Sequence, residues 1–278
     1  MPTLTRLFRF AAATVLSIAT LSAQEPGEWA DEIIKALDRK HPIPAIGVTS
    51  RNPTEYMGYR VQRELVKKLV EAGDEVVGHK AGATSEAAQV KFGLLEPVAG
   101  ELLKSHLKNT ATFVSLRGKD GVMIEMEIGF VLKLTIREAP ANVEELKEYV
   151  REIVPVVELP NVDFTEERIT PADLIGSNVA ASTVVVGRPK RVGLVDLNDV
   201  AVTLERGGEE IATGVGSDVM GDPWEALLWL VRQRLREGYE VKRNDLLITG
   251  AMGQVVSAKA GRYVADFGKL GRVTFSMR

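Results

Sequence analysis

Apolar and polar positions alternate from Gly121 to Lys133 with the two-residue period of a β-strand. Successive strand side chains point to opposite faces. Val122, Ile124, Met126, Ile128, Phe130 and Leu132 therefore share one wholly apolar face, expected to be core. The other face carries Met123, Glu125, Glu127, Gly129 and Val131. A Glu-x-Glu pair on a strand is commonly just solvated. Here apolar residues flank it, and Gly129 lets another group approach the backbone, which suits a cavity wall. Two carboxylates about 4 Å apart repel by several kcal/mol at an intermediate dielectric, and a cation removes that cost. On this strand alone, solvated pair and cation site both stay open.

The rest of the chain mixes helical and strand periods. Residues 28–39 predict a short helix stopped before Pro42, and Asn52-Pro53-Thr54-Glu55 is a capping box opening a helix to Ala72, closed by Gly73. Tyr56, Tyr59, Leu65, Val66, Leu69 and Val70 form its expected buried stripe. A strand from Glu75 runs into a glycine-punctuated turn with Lys80 between Gly78 and Gly82; Thr84 or Ser85 caps a short helix ending at Gly93. The glycines would let a ligand reach both the backbone and the Lys80 ammonium, whereas His79 points the other way and is read as structural. Residues 94–120 are loop and strand without a clear period. Asn142-Val-Glu-Glu145 opens a helix through Glu152.

Residues 153–160 form an apolar strand carrying one charge, Glu158, and its prolines predict an edge or bent strand. Glu158 is then either an edge solvation device or a buried charge with a partner. Residues 161–182, with Asp173, Ser177 and Asn178, are expected to loop over a site. A hairpin pairs 202–205 with 210–213, Asp222 caps a helix through Glu237 with Trp224, Leu227, Leu228, Val231 and Leu235 inward, and 245–250 is a strand. Residues 262–267 and 272–277 close the chain as a hairpin. Without regular βαβ spacing, the pattern favours α+β over a doubly wound sheet. The glycine-rich run 214–221 lacks the strand–GxGxxG–helix arrangement of a nucleotide site.

Residues 1–23 resemble an export signal: Arg6 and Arg9, a short apolar run from Phe10 to Ala19, then Leu21-Ser22-Ala23. The uncharged stretch is too short for a stable membrane span. The mature chain would begin near Gln24 and work in the periplasm or outside the cell, with the cytoplasm as its place if the signal does not function. Residues 24–74 make a helical N-terminal region, and 75–278 the main domain.

Composition narrows the chemistry. The 278 residues are 45% hydrophobic and 26% charged, enough for a large core, with a net charge of −3 and no basic stripe for nucleic acid. With no cysteine and only His41, His79 and His106, a metal site must lean on oxygen ligands.

Six segments in order, Gly78–Thr84, Glu125–Leu132, Val156–Glu158, Gly214–Ser217, Gly221–Pro223 and Thr249–Gly253, resemble the 2-keto-4-pentenoate hydratase and 4-oxalocrotonate decarboxylase branch of the fumarylacetoacetate hydrolase superfamily. The resemblance covers roughly residues 50–278. It implies an α+β fold, a mixed β-roll or sandwich core with peripheral helices, making 75–278 the catalytic β-roll domain. It also implies a divalent metal, Mg²⁺ or Mn²⁺, on Glu125, Glu127 and Glu158. Three hard oxygen ligands suit such ions, and a 2-oxo acid could chelate one through its carboxylate and keto oxygens, the metal stabilising the enolate. Lys80 matches the family's active-site lysine, and Thr249, Gly250 and Ala251 match a turn that binds the substrate carboxylate. Relatives form oligomers, so a homo-oligomer is expected.

Two positions depart from the family pattern. Val98 stands where a Pro-Asp-x-Gly run carries an Asp, and Ser177-Asn178 stands for Asp-Asn. Glu101 or a metal-bound water could replace the missing carboxylate. The first expectation is a metal-dependent lyase hydrating a 2-hydroxydienoate. The alternatives are decarboxylation of the carboxylated homologue, C–C hydrolysis of an acylpyruvate, and an exported 2-oxo acid binding protein without catalysis. Export itself is unusual, since relatives acting on aromatic breakdown products are expected inside the cell.

Overall fold

The computed structural model describes residues 25–48 and 53–278; the export segment 1–23 and the Asn52 cap lie outside them. The helices are α1 (Pro26–Arg39), α2 (Glu55–Glu71), α3 (Glu86–Phe92), α4 (Val143–Lys147), α5 (Pro171–Gly176) and α6 (Pro223–Arg236). The strands are β1 (Val76–Gly82), β2 (Val98–Leu103), β3 (Leu107–Asn109), β4 (Thr112–Val114), β5 (Met123–Leu132), β6 (Val150–Leu159) and β7 (Thr183–Val186). There follow β8 (Lys190–Arg191), β9 (Ala201–Arg206), β10 (Glu209–Val215), β11 (Leu246–Ala251), β12 (Val256–Ser257), β13 (Gly261–Asp266) and β14 (Arg272–Met277).

One sheet runs β2-β1-β11-β5-β6-β7-β3, with β12 added to β5 and β8 to β6; a second runs β10-β9-β13-β14-β4. The first sheet's outer strands, β2 and β3, are joined by only a short turn, Lys104–His106. So tight a connection brings both ends of the path together and rolls the sheet. Leu102 of β2 accordingly clusters with Val154, Val156 and Val184 from β6 and β7, with Leu107 of β3 packed against them. This is the α+β roll expected from the pattern.

The apolar face of β5 is core, as its alternation predicts. Ile124, Met126, Ile128, Phe130 and Leu132 are all fully buried between the two sheets and α6. Phe130 meets the Trp224 ring at 4.9 Å, anchoring α6. Each such side chain contributes roughly 1.5–3 kcal/mol through burial.

Several expectations are corrected. Helix α2 is capped by Thr54, whose hydroxyl accepts the Met57 N–H (3.2 Å), two residues past Asn52. Tyr56 and Val70 are exposed, because α2 packs on α1 and α5 through Gly58, Val61, Gln62, Leu65 and Val66 instead. A Cβ on Gly58 would lie 2.9 Å from the Ala172 carbonyl oxygen, so this glycine sets how closely α2 and α5 approach.

Lys80 lies inside β1 rather than in a turn, flanked by β2 and β11. Helix α4 ends at Lys147, because residues 150–152 already pair with β5 and β8 as part of β6. β6 is an inner strand, not an edge. Its Pro155 accepts the Gly187 N–H (2.9 Å) where the partner passes from β7 to β8. A residue's N–H and C=O share one side of a strand, so the missing donor faces that interruption in the ladder. The segment 161–182 contains α5, opened by a Thr170–Asp173 capping box.

Candidate active site

β5 and β6 run antiparallel with Glu125 directly opposite Glu158, and Glu127 two residues along on the same face as Glu125. Like charges in that register destabilise a sheet pair. Glu127 and Glu158 are fully buried, while Glu125 keeps an edge to solvent. One carboxylate oxygen from each lies within 4.8 Å of the others.

Lys80 reaches this cluster from β1. Its ammonium donates to Glu158 Oε1 (2.6 Å) and to the Val179 carbonyl (2.9 Å). Burial opposes the charge on Lys80, but Glu158, Glu125 and Glu127 together outweigh it and hold the ammonium above its ordinary value. Burial and the Glu158 charge push Glu125 up to about 7, against the pull of Lys80 and Lys91. Burial, Glu158 and Glu125 hold Glu127 well above the carboxylate range. One lysine does not balance three carboxylates.

The donor set fits a hard divalent cation. Glu127 Oε1 and Glu158 Oε2 are buried without a hydrogen-bond partner, an expensive condition unless something positive meets them. Oxygens on opposite sides of Mg²⁺, Mn²⁺ or Ca²⁺ lie at most about 4–5 Å apart, which matches the cluster.

Thr249–Ala251 is not a turn but the end of β11, paired with β5 across a break in register between Ile248 and Ala251. Gly250 N–H donates to Glu127 Oε2 (2.7 Å), and the Thr249 hydroxyl donates to the Ile128 carbonyl (3.3 Å). Both polar groups are engaged within the protein, and the Gly250 N–H orients Glu127; Ala251 pairs opposite Glu127 and is partly exposed. Gly250 has φ 104°, and a Cβ there would strike the Thr84 hydroxyl at 2.1 Å, so only glycine fits.

The turn that receives Lys80 lies in the segment 161–182 expected to loop over a site, but its left-handed shape has no counterpart in the sequence reading. Asn178, Val179 and Ala180 are consecutively left-handed (φ 59°, 54° and 54°), at roughly 1–2 kcal/mol each. The Asn178 amide holds this shape: Nδ2 donates to the Glu101 carbonyl (2.9 Å), and Oδ1 accepts the Glu101 N–H (2.8 Å). The only hint is that asparagine tolerates the left-handed region best among non-glycine residues.

The two departures are structurally quiet. Val98 is buried among Leu94, Leu174, Ile175 and Val179. The Ser177 hydroxyl donates to the Leu174 carbonyl (2.8 Å) and accepts the Ala180 N–H (3.2 Å), closing on its own turn. Glu101 does not replace the missing carboxylate. It pairs in register with His79, one residue out of phase with Lys80 and Gly100, so it faces the other side of the sheet. There it meets Arg234, fully buried on α6, which also bonds Glu237 (2.7 Å) and stacks on the Tyr239 ring (4.1 Å). His79 faces the same side, with Nε2 3.7 Å from Asp245. Neither His41 nor His106 belongs to the glutamate cluster.

A rolled mixed sheet holding three acidic side chains and a lysine on one inner face defines a carboxylate-rich, oxygen-donor site able to hold a metal ion. Residues 65–277 match the family model for the fumarylacetoacetate (FAA) hydrolase C-terminal region, and the chain belongs to that enzyme family. It is 28% identical over 242 residues to a 2-keto-4-pentenoate hydratase of Paraburkholderia xenovorans strain LB400, covering 87% of this chain and 90% of that protein. It is 30% identical over 204 residues to the TodF product hydratase of Pseudomonas putida F1, covering 73% and 76%. Among solved structures, the 4-oxalocrotonate decarboxylase from Pseudomonas putida G7, complexed with magnesium and adipate, superposes with a TM-score of 0.87 at 23% identity, over 93% of this chain and 99% of that one. That likeness speaks for the fold.

Proposed function

We propose that this chain is a divalent-metal-dependent hydro-lyase of the 2-keto-4-pentenoate hydratase type, adding water to a 2-hydroxydienoate. The observation that carries the reading is the convergence of Glu125, Glu127 and Glu158 with Lys80 on one inner face of the roll. The hydratase relatives support it. Glu125, Glu127 and Glu158 would hold Mg²⁺ or Mn²⁺, which supplies Lewis acidity toward the carboxylate and 2-oxo oxygens of the substrate.

The chain's own residues do the rest. Lys80 spends two N–H bonds on Glu158 and Val179. An ammonium has three, and the third, unengaged among the described residues, can donate to the substrate's C2 oxygen and stabilise the negative charge left there when its hydroxyl proton passes to solvent. The Gly250 N–H fixes the Glu127 carboxylate, and the Thr249 hydroxyl ties β11 to β5.

A second reading, a 2-oxo acid binding protein without turnover, draws on Val98 and on Glu101 facing the opposite side of the sheet. We also propose that residues 1–23 direct export, on the strength of Arg6, Arg9 and the apolar run after them. A homo-oligomer is proposed too, supported by the exposed apolar Val90, Leu95 and Phe113.

The test is turnover of 2-hydroxypenta-2,4-dienoate with Mg²⁺, followed by loss of dienol absorbance. Loss without pyruvate release supports the hydratase. Pyruvate release from an acylpyruvate alone makes the chain a C–C hydrolase. No turnover alongside Mn²⁺-dependent oxalate binding leaves the binding protein.

A further inference from the structure

A second polar space lies beyond the glutamate cluster. A cavity of about 370 Å³ is lined by residues of α1's C-terminal end, the β2–β3 turn, the loop before β5 and the segment 177–183. Its ionisable lining is entirely basic, Lys40, Lys108 and Lys119 with His41 and His106, and there is no Asp or Glu among the lining residues. None of these three lysines has a carboxylate within 4.0 Å among the described residues. The nearest acidic influence on His106 is Asp74, whose carboxylate is already committed to the Ser105 hydroxyl (2.6 Å) and N–H (3.2 Å).

The fold draws the three lysines close together. Gly118 takes φ 68° and lies so near Lys40 that a Cβ would sit 2.7 Å from the Lys40 Cβ, drawing the Lys119 loop against the end of α1. Lys119 donates to the Ser182 hydroxyl (3.3 Å), and burial, Lys40 and Lys108 all press its charge below the ordinary ammonium value. His106 and Asn161 also line the cavity, and His106 Nδ1 is buried with no hydrogen-bond partner among the described residues. Like charges drawn around one polar pocket repel one another, and a counter-charge seated among them relieves that. The volume is that of a small-metabolite site.

We propose that this cavity binds a small dianion, either a phosphate group or a short dicarboxylate, with Lys108 and Lys119 as its principal charged donors. Ser182 and Thr183 offer hydroxyls for the remaining oxygens. The site is separate from the glutamate cluster, since neither Lys80 nor any of the three glutamates lines it. It is nonetheless next door: Ser177 and Ala180 line the cavity, and Val179 between them gives its carbonyl to Lys80.

The experiment is calorimetric titration of inorganic phosphate and, separately, succinate into the full chain stripped of metal on a chelating resin. One saturable site is expected for at least one of them, and the tighter anion names the source. Affinity should fall roughly tenfold to a hundredfold in Lys108→Gln/Lys119→Gln and stay unchanged in Glu127→Gln, which disables the metal cluster alone. Absence of saturable binding for both anions overturns the proposal. So does wild-type affinity in a folded double variant, with circular dichroism reporting the fold, or loss of binding in Glu127→Gln.

Discussion

Replacing Glu127 by glutamine should stabilise the metal-free protein and remove most of the stability that a bound metal adds. The three carboxylate oxygens lie within 4.8 Å of one another, and each charged pair at that distance costs about 3.5 kcal/mol at an effective dielectric near 20. Lys80 offsets part of this through Glu158, and the protons that Glu125 and Glu127 itself retain relieve more. The glutamine oxygen can still accept the Gly250 N–H that Glu127 Oε2 accepts now. Without metal, Glu127→Gln should therefore be about 1–3 kcal/mol more stable than wild type. For a domain of this size that is a rise in Tm of roughly 3–10 °C. With Mn²⁺ at about a hundred times its Kd, wild type gains about 2.7 kcal/mol, and the variant gains little.

The sign with pH follows from Glu125. Its folded value, about 7, lies above its ordinary one. The proton it keeps on folding contributes stability at low pH, and that contribution is lost as pH rises through about 7. The metal-free advantage of the variant should thus be small near pH 5 and larger near pH 8. The assay is thermal denaturation by calorimetry, with and without Mn²⁺, at both pH values. An equal Mn²⁺-induced rise in Tm for both proteins, or a variant less stable than wild type without metal at about pH 8, would refute the reasoning.

Other consequences are open to direct measurement. Lys80→Met should lower kcat by roughly 10²–10⁴-fold while Mn²⁺ still binds, as read by fluorescence titration; retained kcat would remove Lys80 from the chemistry. Arg234→Met leaves Glu101 buried without its partner and should cost about 3–5 kcal/mol, whereas Glu101→Met/Arg234→Met should recover most of it. Urea denaturation compares them, and a double variant as weak as the single one contradicts the pairing. Expression with the native N-terminus in a bacterial host should give an exported chain beginning near Gln24; intact Met1 in the cytoplasm alone disproves the export signal.

What the sequence determined by itself is local. The alternation around Glu125 and Glu127 set both faces of β5, because a strand's period is a property of the backbone and needs no partner. Caps at Asn142 and Asp222 marked where helices start, since a side chain two or three residues away satisfies the first N–H groups. The six ordered motifs carried the family and the four charged residues of the site.

Tertiary structure decided whatever depends on which distant segment lies alongside. Pro155 suggested an edge strand, but the change of partner from β7 to β8 accommodates it inside the sheet. Arg234 sits in a helix rich in charged residues, and only the arrival of β2 with Glu101 makes its burial tolerable. The left-handed turn at 178–180 persists because β2's backbone clamps Asn178. Cross-strand register sets Glu125 against Glu158, and the meeting of four separate segments surrounds a cavity with lysines. Such placements arise from long-range contacts, whose partners no local period can name.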